Sequence, residues 1–325
     1  MSFKLFGSNG NGRNRVRRFL VVTAALMAVF AITAAASAQE PEPIIDDLGN
    51  EVELDERPQR IVSLSPATTE KIFGLGLGDR VVGVTTYCDY PPEMLERVEE
   101  GEISTIGTVV EPNMEAIVEL DPDLVVAASV NPIEDVERLI ELGENVAGFA
   151  PDDLDSALSA MENVGRVTGF QEETQEVISR METRLEEVES LVAEQEEEPT
   201  VFYEIWSDPL QTAGAGTFID DLIEIAGAKN IGAEAGEGWP EYSLESLIME
   251  DPEVYVSTPH SAPEGVTVEE IKERQHFDAL TAVQEGKVAL VDQDKLSRAG
   301  PRLIDGLIEL TAAIHPEIAE ELEDI

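Results

Sequence analysis

The sequence predicts an α/β protein of two Rossmann-like lobes with parallel sheets, joined by a single long backbone helix. Strand-type apolar runs alternate with helix-type runs and never fall in hairpin pairs, the pattern of parallel sheets covered on both faces. The stretch NMEAIVELDPDLVV (113–126) returns as SLESLIMEDPEVYV (243–256). Each copy opens with a cap-type residue, carries Glu at its third position, and continues with a short apolar run, Asp-Pro, an acid and a β-rich ending. Each half of the chain therefore holds an equivalent piece. Between the halves, Val177, Met181, Leu185, Val188 and Leu191–Val192 fall on one helical face of an otherwise charged stretch.

In the first half, Arg60-Ile61-Val62-Ser63-Leu64 reads as a buried-type strand closed by Pro66, and Thr69 to Leu75 as a helix ending in GLGLG. Arg80 to Val84 is a second strand, followed by the loop YCDYPPE. The first repeat copy supplies a short helix and the strand Leu124 to Ala128; Ile133 to Leu142 is a helix stopped by Gly143, and Asn145 to Phe149 a strand. A helix of about 27 residues, roughly 40 Å long, should follow, with Pro199 as its stop. In the second half, Thr200 to Ile205 is a strand and Phe218 to Ala226 a helix before Gly227. The second repeat copy gives a short helix and the strand Val254 to Ser257; Val268 to Val283 reads as helix and Lys287 to Asp292 as the closing strand. The implied organisation is an export signal (1–38), an acidic lead (39–58), a first lobe (59–168), the connecting helix (169–198) and a second lobe (199–325).

The chain has 325 residues, enough for two lobes with their own cores, and 42% of them are hydrophobic. It carries 21 Lys and Arg against 68 Asp and Glu, a formal net charge of −47. Lys4, Arg13, Arg15, Arg17 and Arg18 all precede the first acid, Glu40, so the remainder is more acidic still. Such a surface repels phosphate backbones and anionic lipid, which disfavours nucleic acid and membrane surfaces as partners. Acids spread along the whole chain point to adaptation to high salt, where a short Debye length mutes self-repulsion. The basic stretch is followed by FLVVTAALMAVFAITAAASA and the small-x-small site Ala36-Ser37-Ala38. This reads as an export signal cleaved after Ala38, or retained as an anchor helix long enough to span a bilayer. Arg17-Arg18-Phe19-Leu20 also fits twin-arginine export, so the route stays open. Cys88 is the single cysteine: no lipid-anchor cysteine stands near the cleavage site and no intrachain disulfide can form.

Several stretches resemble the substrate-binding proteins that feed ABC importers for vitamin B12, iron siderophores and haem. They are RIVSLSPATTEKIFGLGLGDRVVGVTTYCDYPPE, GWPEYSLESL and DKLSRAGPRLIDGLIEL, and the resemblance covers residues 58–316. The Tyr-x-Asp-Tyr-Pro-Pro loop is similar to that of the cobalamin binders in particular. The resemblance implies a corrinoid as ligand, with an Fe(III)-siderophore or haem as the alternative, ABC permease subunits as partners, no cofactor, and a monomer when free. Two features depart from the cobalamin pattern. STIGTVVEPN has no aromatic residue where a tryptophan is expected, and Ala128-Ser129 stand where another aromatic would follow the strand.

Open α/β lobes bind beyond the carboxyl ends of their strands. The candidates there are Tyr87, Asp89 and Tyr90 in the YCDYPP loop, together with Trp206 and Trp239, the two tryptophans of the chain. Aromatic walls bury a flat ring at little rotamer cost. By resemblance, Asp294 and Arg298 meet the amides of a corrin periphery, Asp as acceptor and Arg as a planar donor fork; the bland reading of the same pair is an i,i+4 ion pair. Arg302 reads as structural and Cys88 as loop filler. Glu115 and Glu245 take equivalent places in the two repeat copies, and by resemblance each would dock into an arginine of one permease subunit; an acid also suits a helix N-terminus without any partner. His260, His276 and His315 show no metal-ligand spacing. A two-lobed α/β enzyme is disfavoured, for the chain lacks G-x-S-x-G, GxxxxGK[ST] and G-x-G-x-x-G motifs.

Overall fold

The computed structural model describes residues 44–52, 54 and 56–325. The expected export signal lies outside the described residues. The chain opens on a hairpin, β1 (Ile44–Ile45) with β2 (Glu51–Val52), antiparallel. Next come β3 (Ile61–Ser63), α1 (Pro66–Gly74), β4 (Val81–Val84), α2 (Pro92–Glu99), β5 (Ser104–Thr105), α3 (Met114–Glu119), β6 (Leu124–Ala128), α4 (Ile133–Leu142), β7 (Val146–Phe149), α5 (Leu154–Thr168) and α6 (Gln171–Ala193). The second half contains β8 (Thr200–Ser207), β9 (Leu210–Thr212), α7 (Phe218–Ile225), β10 (Lys229–Asn230), α8 (Leu244–Glu250), β11 (Val254–Ser257), α9 (Val268–Lys272), α10 (Thr281–Glu285), β12 (Val288–Leu290), α11 (Gln293–Ser297), α12 (Leu303–Ile314) and α13 (Ala319–Glu323).

The first sheet runs in the order β5-β4-β3-β6-β7 and is parallel throughout. Its strands alternate between two cores, as a period-2 chain must. Leu124 and Val126 join Ile61 and Phe149 against α1 and α5, whereas Val125 and Ala127 join Val62 against Ile117, Val136 and Leu139. The second sheet, β10-β8-β11-β12, is also parallel, and Tyr203 and Val256 face one core while Phe202 and Tyr255 face the other. The α/β class with two parallel sheets and one long connecting helix is thus as the sequence predicts.

Several details differ. The acidic lead contributes to the fold: the buried Asp46 accepts from Gly148 N at 2.7 Å and Asp47 from Ala150 N at 2.6 Å, docking the first hairpin on β7. The no-hairpin rule fails a second time at β9, which pairs antiparallel to β8 after the Asp208-Pro209 turn. The connecting helix has 23 residues rather than about 27, since it stops at Ala193 and leaves the polar tail to Pro199 outside it. Helix α5 was not expected. It ends at Gly169 in the left-handed region (φ 73°) and lies so close to α6 that a Cβ at Gly165 would come within 2.5 Å of Thr174. The predicted helix over 268–283 is broken at His276 (φ 71°) into α9, a short turn and α10.

Candidate functional site

The loop Thr85–Pro91 leaves the carboxyl end of β4. Its orientation is fixed from below by Cys88, whose buried thiol lies 3.1 Å from Thr69 Oγ1 and 3.2 Å from Thr85 Oγ1. Burial pushes this thiol above its ordinary pKa. With Cys88 turned in, its neighbours turn out: Tyr87 is 60% exposed and Asp89 is exposed. Tyr90 is half-buried, and the Arg302 guanidinium lies 3.7 Å from its ring centroid. One face of that ring is therefore already covered.

Buried Asn131 ties the neighbouring loops together. Its amide donates to Leu64 O (2.9 Å) and Val109 O (3.0 Å), and its Oδ1 accepts from Ala128 N (2.8 Å). This staple leaves Val110 58% and Val130 55% exposed, beyond β5 and β6. Sequence reasoning missed all three residues. Part of the signal was present: STIGTVVEPN and Ala128-Ser129 lack the expected aromatic residues, and Val110 and Val130 lie in or beside those stretches.

In the second half, Trp206 lies inside β8 rather than after it, half-buried, with its indole N–H donating to Asp208 O at 3.0 Å. Trp239 is exposed in a segment that lines up beside β9, through Thr212 N to Pro240 O (3.1 Å), Gly214 N to Gly238 O (2.8 Å) and Tyr242 N to Leu210 O (2.8 Å). Gly214 is required for that approach, because a Cβ there would stand 2.2 Å from Gly236 O. Both tryptophans thus flank β9.

Arg298 joins the two halves. Nη1 donates to Glu70 Oε1 and Asp89 Oδ1, both at 2.6 Å; Nη2 donates to Asp294 Oδ2 at 2.8 Å and, more weakly, to Asp89 Oδ2 at 3.3 Å. Buried Glu70 also receives a fork from Arg302, at 2.7 and 2.6 Å. Close packing supports the junction: a Cβ on Gly74 of α1 would lie 2.5 Å from Pro301. The Arg298 hydrogen bond holds the Asp89 carboxyl below its ordinary pKa, whereas burial pushes Asp294 up despite the same arginine, helped by the charges of Asp89, Asp292 and Glu70. Burial opposes the Arg298 charge, but the bonds to Asp89 and Glu70 outweigh it and hold its pKa up.

The structure therefore brings Asp89, Tyr90, Asp294 and Arg298 into one cluster, with Tyr87 adjacent, and sets Trp206 and Trp239 together on the second sheet's edge. Two surface hollows, about 530 Å³ along α6 and about 760 Å³ beside residues 259–270, contain none of them. Among the described residues no group of His, Cys, Asp and Glu is placed to hold a metal ion.

The repeat folds twice in the same way. Glu115 and Glu245 are exposed in the first turns of α3 and α8, capped by Asn113 (from Ala116 N, 3.1 Å) and Ser243 (from Ser246 N, 2.9 Å). Asp123 then accepts from Arg60 N at 2.9 Å and Glu253 from Thr200 N at 3.0 Å, so the acid after each copy's Asp-Pro secures the approach to its sheet's first strand.

A family profile described as periplasmic binding protein matches residues 61–295. An ABC transporter substrate-binding lipoprotein of Bacillus subtilis is 31% identical over 287 residues, covering 85% of this chain and 87% of that protein. A cobalamin-binding protein of Halobacterium salinarum is 28% identical over 319 residues, covering 92% and 85%. Among solved structures, the periplasmic vitamin B12-binding protein BtuF of Vibrio cholerae superposes with a TM-score of 0.67 at 26% identity, over 81% of this chain and 98% of that one. The periplasmic heme-binding protein RhuT of Roseiflexus gives 0.69 at 26%, over 79% and 98%.

Proposed function

This chain belongs to the periplasmic binding protein family, and on that premise we propose that it captures a corrinoid outside the cytoplasm and delivers it to an ABC import permease. Family and relatives are substrate-binding transport proteins rather than enzymes. The observation that carries the corrinoid reading is the junction at Arg298. It brings the strand-end loops of both sheets together, with the acceptor oxygens of Asp89 and Asp294 at the surface and exposed Tyr87 and Trp239 on the two edges. A wide ring fringed with amides needs that combination of apolar walls and acceptors. The cobalamin-binding name of the Halobacterium relative supports the same ligand.

The lobes are taken as residues 59–168 and 199–325, with 169–198 as the connection. One stiff helix limits hinge bending, so closure should be small. Glu115 and Glu245 serve as the permease contacts, and the free protein is a monomer. The leader is cleaved after Ala38 or stays as an anchor, and the acidity fits a high-salt habitat. The test is direct: protein incubated with cyanocobalamin and desalted should retain the chromophore, with quenched Trp206 and Trp239 emission. Protein that elutes colourless with unchanged emission refutes the corrinoid.

Haem or a ferric siderophore is the second reading. It is favoured by one observation: beyond β5 and β6, where STIGTVVEPN and Ala128-Ser129 carry no aromatic residue, the exposed Val110 and Val130 give an aliphatic wall.

A further inference from the structure

Resting on the reading of this junction as the ligand site, we propose that it selects its guest by charge: it accepts rings fringed by N–H donors and rejects those fringed by carboxylates. Arg298 is the residue that would ordinarily welcome an anion, but four N–H···carboxylate contacts are already made to Glu70, Asp89 and Asp294, leaving only Nε–H. Arg302 is committed to Glu70 through two bonds and has Tyr90 across its face. Two guanidinium groups thus face three carboxylates.

What the junction leaves open is acceptor capacity. The Asp89 and Asp294 side chains are 59% and 39% exposed, against 12% for Arg298. In the salt that the chain's acidity implies, repulsion is screened beyond about 3 Å. Selection therefore acts at contact: an amide N–H laid against Asp89 or Asp294 gains a charge-assisted bond, while a carboxylate laid there meets another acceptor and loses its water.

The test compares two ligands with one ring. Dicyanocobinamide carries amides around the corrin, and dicyanocobyrinic acid carries carboxylates at the same positions. Both are titrated against the purified full chain in mild detergent at 2 M KCl, and against the D89N/D294N variant. The amide ligand should bind about 100-fold more tightly, about tenfold for each acid, and the variant should close most of that gap by gaining affinity for the carboxylate ligand. Equal binding of both ligands overturns the charge selection and leaves the corrinoid reading standing. Binding of neither refutes the corrinoid. Selection is then read from a cationic ferric trihydroxamate against a trianionic ferric tris-catecholate; retention of the anion at equal or better affinity, or of neither chelate, overturns it.

Discussion

Asp121 and Asp251 hold the same left-handed backbone, φ 46° at each, at the same step of the repeat. Each stands between a short helix and a proline, where the chain must turn to enter a buried strand. Aspartate tolerates this region better than most residues but still at a cost that glycine avoids. Their side chains differ in duty. The Asp251 carboxylate accepts from both Thr281 N and Thr281 Oγ1 at 2.7 Å, and no comparable bond is seen at Asp121 among the described residues. Asp121→Gly should therefore be neutral to stabilising by up to about 1 kcal/mol, raising Tm by no more than a few degrees. Asp251→Gly should lower it, because two bonds are lost for the same relief. Thermal melts in matched salt decide; equal shifts for both variants would contradict the assignment.

A buried acid in β8 gives a larger effect. Glu204 is fully buried and accepts from Ser257 (3.0 Å), from Tyr255, and from both ends of the Arg274 fork. Burial alone would raise its pKa, but the Arg274 and Tyr255 bonds prevail and hold it below the ordinary range. Arg274→Met leaves that charge unpaired and should cost about 3–5 kcal/mol at neutral pH. The sign with pH follows. In the wild type the depressed pKa contributes stability that is present above the ordinary Glu range and lost as pH falls through the folded value. In the variant burial dominates, the folded pKa lies above the ordinary one, and protonation relieves the fold. The stability gap between the two should shrink on acidification, read from denaturant melts at neutral and mildly acidic pH.

Much of this architecture was legible because it rests on local periodicity. Leu124–Ala128, Ile133–Leu142 and Val254–Ser257 form over the predicted residues, since continuous apolar runs and a terminal Gly143 leave few alternatives. Helix α5 was less plain: its buried face mixes Leu154, Met161, Val164 and Val167 with the small Ala157, Ala160 and Gly165, which dilute the apolar stripe yet permit close packing on α6. The hairpin at β9 depends on an Asp-Pro turn and on pairing with residues 236–242, which no local window contains. The site divides in the same way. Tyr87, Asp89, Trp239 and Arg298 stand out by residue type and loop position. Glu70 does not: it sits in an unremarkable helical run, and only the tertiary approach of α1 to residues 298–302 brings it to Arg298.

Salt should be a condition of folding. With a formal net charge of −47, most acids have no cation to pair with, and at about 0.1 M salt their repulsion reaches roughly 10 Å. Lowering KCl from 2 M to 0.1 M should lower Tm and broaden the melt, with the buried Glu204–Arg274 pair contributing little to that dependence. Circular dichroism across a KCl series measures it; a Tm that does not move would refute salt adaptation.

The last prediction concerns Glu115 and Glu245. Both carboxylates are exposed, both stand in the first turn of a short capped helix, and neither has a basic partner within the chain among the described residues. If they were there only for the helix macrodipole, reversing them would cost about 0.3–1 kcal/mol each and nothing else. If they are the permease contacts, E115K/E245K places two cations where an arginine must dock, and like charges at contact disfavour the encounter by several kcal/mol. Ligand titration should give the same Kd for wild type and double variant, since neither residue lies in the Arg298 cluster. Uptake in a strain that depends on this protein should fall to background, and the single variants should fall between. Uptake that persists in the double variant with a normal Kd would leave the two acids as helix-start residues and nothing more.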